Sequence, residues 1–275
     1  MINDLKESLL YGDKMFRTLR GVEPLLNEHK QPLFVAGRNS VVFRISLNQR
    51  LYALKCYTSK AEHTEEICAY LGALSSPLIV QPQFFPEELW TGSYYSDVVL
   101  YPWQEGHTFE WMIRKALYDK DITLLRSLEE RLIRLIHSIY RQEWRHGDLK
   151  AENIVVRPDG SLILVDCDSL YAPSLPPRTN LGTPRHIHPL RGDAYDSHID
   201  DYAAALMVLS LEALQRNLSL YHEETMVALP EEGNTEHIAE LFEDNKVLLS
   251  LLEALLSDNY KITNLNHLLE CIMHT

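Results

Sequence analysis

Asp148, Lys150, Asn153 and Asp166 are the residues of this chain whose types and spacing could do chemistry together, and all four fall within residues 145–170, RHGDLKAENIVVRPDGSLILVDCDSL. Ile154-Val155-Val156 and Leu162-Ile163-Leu164-Val165 are short apolar runs rich in β-branched residues. Between them Arg157-Pro158-Asp159-Gly160 carries the Pro-Asp-Gly order of a tight turn. A hairpin of this kind returns Asp166, just after the second strand, to the side of Asn153 and Asp148, which precede the first. An Asp and an Asn close together offer oxygen ligands to a hard cation, and Mg²⁺ is commonly held by one or two such groups plus substrate phosphates. A second Asp can orient a hydroxyl, and a lysine can neutralise charge on a phosphoryl group in flight. Phosphoryl transfer is the chemistry this set predicts.

The order H-G-D-L-K-A-E-N at 146–153, followed by D-C-D at 166–168, resembles the catalytic loop and metal motif of the eukaryotic-like protein kinase superfamily. The family patterns are H-R-D-x-x-x-x-N and D-F-G. Gly147 stands at the Arg, Cys167 at the Phe and Asp168 at the final Gly. The resemblance implies an α+β, bilobal protein-kinase-like fold, with a small β-rich N-lobe carrying one main helix and a larger, mostly helical C-lobe. The expected divisions are 1–32, an extension packed on the N-lobe, then 33–102, the N-lobe, and 103–275, the C-lobe. ATP and Mg²⁺ are the implied cofactors. Asp148 would accept or orient the hydroxyl proton, Lys150 would stabilise the transferring group, and Asn153 and Asp166 would hold the metal. Loss of the catalytic-loop Arg removes the usual receptor for an activation-loop phosphate, so activity without that switch is expected.

The elements that must position these residues follow in order. From Leu33 the pattern turns to strands, FVAGRNSVVFRISL, a turn at Asn48-Gln49, then LYALKCYT. The loop Gly37-Arg38-Asn39-Ser40 between alternating runs resembles the nucleotide-covering hairpin of kinases, with Val35, Gly37 and Ser40 at its three glycine positions. Lys55 in A-L-K matches the strand lysine that holds the α and β phosphates. A helix is predicted over 60–74 from the stripe Ile67, Tyr70, Leu71 and Leu74. Its candidate partner for Lys55 is Glu66, with Glu65 second.

Strands at 82–85 and 96–100 lead into YPWQEG, which resembles the segment joining the kinase lobes. Leu100 falls at the gatekeeper position, and the C=O of Tyr101 and N–H of Trp103 are expected to face adenine. Helices are predicted over 109–118 and 123–140 from apolar spacing. LGTPRHIHP resembles the end of the family's activation segment, and Thr183 is expected to bond the catalytic Asp and Lys. The closing Glu of that motif is Leu190, and its usual Arg partner aligns with Ile262. Asp200 opens an apolar helix whose first Asp, in the family, braces the catalytic loop. The same Asp reads equally as a helix cap.

Composition bounds the rest. The 275 residues include 26 Lys and Arg against 39 Asp and Glu, a net charge of −13 that argues against nonspecific nucleic-acid binding. The four cysteines, Cys56, Cys68, Cys167 and Cys271, form no metal or disulfide spacing and read as buried small hydrophobes. No apolar run suggests a membrane span and the first residues lack a signal-peptide core, so a soluble cytoplasmic protein is expected. The expected function is Mg-ATP phosphotransfer to Ser or Thr of a protein substrate. Two alternatives stand beside it: a pseudokinase scaffold, motivated by the depleted glycine loop and Asp168, and a small-molecule kinase of the aminoglycoside or choline kinase kind, motivated by H-G-D.

Overall fold

Chain contacts divide the protein into two units, Met1–Gln104 and Glu105–Thr275. The computed structural model describes residues 2–37, 39–59, 62–179, 181–223, 226–227, 229 and 234–273. Arg38 of the expected glycine loop and Lys60, the expected start of a helix, lie outside the described residues, as does part of the polar stretch 217–234. Helix and strand are mixed, and the first unit holds a curled antiparallel sheet.

In that unit the strands are β1 (Val22–Pro24), β2 (Phe34–Ala36), β3 (Ser40–Leu47), β4 (Arg50–Tyr57), β5 (Gln83–Trp90) and β6 (Tyr95–Pro102). They pair in the order β1-β3-β4-β6-β5, with β2 also on β3. Along β3, Val41, Phe43 and Ile45 are buried and their neighbours are not, the period-two pattern of a strand with one face in the core. Asn48 and Gln49 both take positive φ, 51° and 66°, which suits the turn to the twist of β3 and β4. Helix α1 (Ile2–Tyr11) sends Leu5 and Leu9 into the same core as Val41, Phe43 and Leu54. Glu88 on β5 is buried and accepts the N–H groups of Thr18 and Leu19 and the Thr18 hydroxyl, each at 2.7 Å. Residues before the sheet are therefore part of this unit's core.

Two predicted elements shift. Helix α2 is Thr64–Ala73, shorter than 60–74, and buries Thr64, Ile67, Cys68 and Leu71. Strand β5 runs well beyond 82–85, with its register shifting between Phe85 and Leu89. Pro86-Glu87-Glu88 interrupts the apolar alternation there, and a proline in a strand sits at such irregularities.

The second unit contains α3 (Phe109–Asp119), α4 (Ile122–Tyr140), α5 (Asp201–Arg216), α6 (Asn234–Leu241), α7 (Lys246–Leu255) and α8 (Leu265–Met273). A small sheet joins β7 (His107–Thr108), β8 (Ile154–Val156) and β9 (Leu162–Leu164), and β10 (Tyr221–His222) pairs with β11 (Met226–Val227). The α5 sequence DYAAALMVLSLEALQR is apolar almost all round, and the helix is buried nearly throughout. Gly106, at φ +128°, starts the unit where a Cβ would lie 2.1 Å from the Val156 carbonyl oxygen, so no larger residue fits. The cysteines Cys56, Cys68 and Cys167 are buried, and none of the four forms a disulfide. Among the described residues no helix is long and apolar enough to cross a membrane.

Candidate functional site

The loop from Trp144 to Asn153 is held by bonds to distant parts of the second unit. Asp200, just before α5, is 1% exposed; its carboxylate accepts the His146 N–H at 2.6 Å and the Gly147 N–H at 2.8 Å. Burial pushes this carboxyl above its ordinary range, and the two N–H bonds oppose the shift. Each bond to a charged acceptor contributes roughly 1.5–3 kcal/mol. Asp200 makes no side-chain cap to α5, so of the two readings of this residue the brace is the one realised. His146 Nδ1 accepts the Asp148 N–H at 3.3 Å, which leaves Nε2 to donate to the Val165 carbonyl at 2.9 Å. The ring thereby links the loop to the end of β9.

The predicted hairpin is present. Ile154 pairs with Leu164 and Val156 with Leu162, and the Val165 N–H donates to the Asn153 carbonyl at 2.9 Å. Asp166 is thus one residue beyond the partner of Asn153. Its side chain is exposed and its backbone is left-handed, φ 60° and ψ 52°, a conformation Asp tolerates better than most residues.

Asp148, Lys150, Asn153 and Thr183 converge. Lys150 Nζ lies 3.2 Å from Asp148 Oδ2 and donates to Thr183 Oγ1 at 2.7 Å. Asn153 Nδ2 donates to the Asp148 carbonyl at 2.9 Å and to Oδ2 at 3.2 Å. Both partners use the same carboxylate oxygen. Asp148 Oδ1 is buried and has no hydrogen-bond partner. A buried acceptor left unmatched costs free energy, and a catalytic role, an ion or a water is among the causes that account for one.

His186 was not anticipated. It is 6% exposed, feels the charges of Asp148 and Lys150, and has Nδ1 buried without a partner. Burial pushes its pKa down to about 4, so the ring is neutral near pH 7. Its place three residues after Thr183 in a 3₁₀ turn, Pro184–His186, was the available signal.

The segment after Asp166 is fastened by backbone pairing and by the Arg178 side chain. Arg145 and Tyr171 exchange both backbone bonds at 2.9 Å. Arg178 donates to the Asp168 carbonyl at 2.5 Å and also to the Leu170 carbonyl, with its guanidinium over the Tyr195 ring. Further on, His188 Nδ1 accepts the Leu190 N–H at 3.1 Å and Nε2 donates to the Ser257 carbonyl at 2.9 Å. Leu190 itself is exposed, and the Ile262 N–H donates to Asp201 Oδ2 at 2.9 Å. Arg178→Ala is expected to speed limited proteolysis within 168–183 by about tenfold or more, because the opening free energy of the segment falls. Mass mapping of the early cleavages checks this.

In the first unit, Lys55 is 3% exposed on β4, opposite Val42 of β3 and Val99 of β6, with its ammonium 5.6 Å from the Tyr57 ring centre. A lysine so deep is uncommon unless its charge is paired. The Gly37 N–H donates to the Ser40 carbonyl at 2.8 Å and closes the β2–β3 turn.

Two expectations are corrected here. Glu66 does not meet Lys55: it lies in the first turn of α2, its side chain is 56% exposed, and its partner is His63 at 3.4 Å. Glu65 is exposed as well, because the face of α2 that enters the core is the one carrying Ile67 and Leu71. The Trp103 N–H does not face an open edge, since it donates to the Leu51 carbonyl at 3.0 Å and extends the β4–β6 pairing. Tyr101 pairs with Ala53 on that same side of β6. Backbone groups alternate along a strand, so the outward carbonyl is that of Pro102, beyond the last β5 pairing at Leu100, and it accepts Gln104 Nε2 at 2.9 Å.

No protein-family model matches the chain, and no curated protein matches it either.

Proposed function

We propose that the chain is a divergent protein-kinase-like phosphotransferase that moves the γ-phosphoryl group of Mg-ATP to a Ser or Thr hydroxyl. In this reading the first unit contributes Lys55, and the second contributes Asp148, Lys150, Asn153 and Asp166. The observation that carries it is the Asp148 carboxylate: Oδ2 is fixed by Lys150 and Asn153, while Oδ1 is buried without a partner. An acceptor so prepared suits an incoming hydroxyl, which it would orient and whose proton it would take. Lys150, held by Thr183, lies where charge grows on a transferring phosphoryl group.

The donor set also suits Mg²⁺. Asn153 commits its amide nitrogen to Asp148, which turns its oxygen away, and Asp166 adds an exposed carboxylate one residue from the Asn153 pairing. Hard oxygen ligands in this number, completed by phosphates, are what Mg²⁺ takes. The bound ion would neutralise phosphate charge. Lys55 is the candidate for the nucleotide's phosphates, and the outward Pro102 carbonyl replaces Tyr101 and Trp103 as the candidate for its base.

Glu66, turned to solvent, favours a second reading in which nucleotide is bound without turnover. Purified protein assayed for γ-phosphate transfer to peptides, sugars and amino alcohols, beside nucleotide thermal shifts with and without Mg²⁺, separates the two. Peptide phosphorylation supports the proposal, and Mg²⁺-dependent binding with no transfer supports the scaffold. Phosphatase treatment is expected to leave turnover within about twofold, since the segment needs no phosphate to be held.

A further inference from the structure

Beyond the end of the segment that follows Asp166, two large apolar side chains meet solvent in one neighbourhood. Leu190 is 60% exposed, and Leu256, just after α7, is 40% exposed. His188 ties their backbones together: Nδ1 accepts the Leu190 N–H at 3.1 Å, and Nε2 donates to the carbonyl of Ser257, the residue after Leu256, at 2.9 Å. The imidazole is itself buried, edge-on to the ring of Tyr202 in α5. Pro189 is exposed beside Leu190 and extends the apolar surface. A lone exposed leucine is ordinary, but two whose backbones are joined through one buried histidine ring form a patch.

The exposed charge around this patch is acidic. Glu253 precedes Leu256 by three residues, the spacing of neighbours on a helical surface, and is exposed. Asp258, two residues after Leu256, and Asp193, three after Leu190, are exposed as well. The nearby cations are engaged within the protein: Arg191 is buried and donates to the Leu181 carbonyl at 2.6 Å, and Lys261 lies 3.0 Å from Asp196. Arg185 belongs to the turn Pro184–His186 next to Thr183. An apolar centre with an acidic rim is complementary to a partner whose own apolar group is flanked by positive charge. A second copy of this chain would bring the same acidic rim and a net charge of −13, so like charge opposes self-association.

We propose that this patch docks a basic polypeptide segment of a partner protein, with a large apolar side chain covering Leu190 and Leu256 and flanking Lys or Arg side chains meeting Asp193, Glu253 and Asp258. Burial of the apolar group supplies the attraction, and the rim selects the sign of charge. None of the residues assigned to phosphoryl transfer takes part, so occupation of the patch is measured separately from turnover.

Leucine-methyl NMR of the full chain, titrated at about 0.15 M salt with the peptide KRGFLGRK, reads the patch directly. Saturable shifts of the Leu190 and Leu256 methyls are expected, with a Kd of about 1 mM or tighter. EEGFLGEE keeps the apolar centre and KRGGGGRK keeps the charge, and each should bind at least about fivefold more weakly. Leu190→Ser should weaken KRGFLGRK by about threefold or more, and Glu253→Lys combined with Asp258→Lys should reverse the order of the basic and acidic peptides. All three positions are exposed, and a melting curve checks that the variants fold. Shifts that do not saturate by about 5 mM peptide, equal binding of either control peptide, or an unchanged order in the charge-reversed variant would overturn the proposal. Concentration-dependent dimerisation in sedimentation, with loss of the Leu190 and Leu256 signals, would overturn it too, by giving the patch to a second copy.

Discussion

Asp148→Asn is expected to lower turnover by roughly 10²–10⁴-fold while nucleotide affinity stays within about twofold. The substitution keeps the shape of the side chain and changes one oxygen into a donor. If the amide oxygen remains at the Oδ2 position, it still accepts Asn153 Nδ2, and the new NH₂ occupies the buried Oδ1 position where an acceptor is wanted. If the amide flips, its NH₂ confronts both Lys150 Nζ and Asn153 Nδ2, which are themselves donors. The first orientation is therefore favoured, and it is the one that removes the base. Lys150 loses its counter-charge in either case but keeps its bond to Thr183. Single-turnover measurements with a nucleotide-binding titration and a melting curve separate chemistry from folding. An unchanged rate in a folded variant would sink the assignment of Asp148.

What was legible in the sequence is local. The Pro-Asp-Gly turn and its flanking β-branched runs fix the β8–β9 hairpin, and with it the approach of Asp166 to Asn153. Lys55 was placed on its strand by alternation, and α3 and α4 by their apolar spacing. The positions that sequence could not yield depend on register or on distant partners. Whether the Trp103 N–H faces a ligand or the sheet is decided by the pairing of Pro102 with Tyr52, which no local pattern encodes. Which face of α2 turns inward is decided by the sheet beneath it, and that choice leaves Glu66 outside. Arg178 and His186 act across the fold, and in sequence they are an ordinary basic residue and one of the two histidines in the short run RHIHP.

The glycine at position 147 is therefore a structural fact about the loop's backbone. Asp200 reaches the His146 and Gly147 amides, and Gly182 packs so closely that a Cβ on it would lie 2.9 Å from the Gly147 carbonyl oxygen. The loop is confined from both sides. Its geometry depends on residues 35 and more positions away.

That confinement makes Gly147→Arg, which writes the family's H-R-D order into the loop, a strong test. Gly147 has φ +78°, and a Cβ there would lie 1.9 Å from the Ser169 carbonyl oxygen and 2.8 Å from its carbon. Left-handed backbone alone costs about 1–2 kcal/mol for a residue with a Cβ. The clash adds to this because neither side can yield cheaply: Ser169 belongs to the 3₁₀ turn Cys167–Ser169, flanked by the carbonyls that Arg178 holds, and Gly147 is tied to Asp200. A total of at least ~3 kcal/mol is expected, which for a chain of this size lowers Tm by roughly 6–12 °C. Turnover should fall too, since Asp148 is the next residue. Gly147→Ala carries the same Cβ and the same φ, so it should lose nearly as much, and this pair is the discriminating measurement by thermal melting. If Ala is neutral and Arg is not, side-chain bulk rather than backbone conformation excludes the arginine. If both variants melt like the parent and the Arg variant becomes sensitive to phosphatase, the loop can accept the family's switch and the steric argument fails.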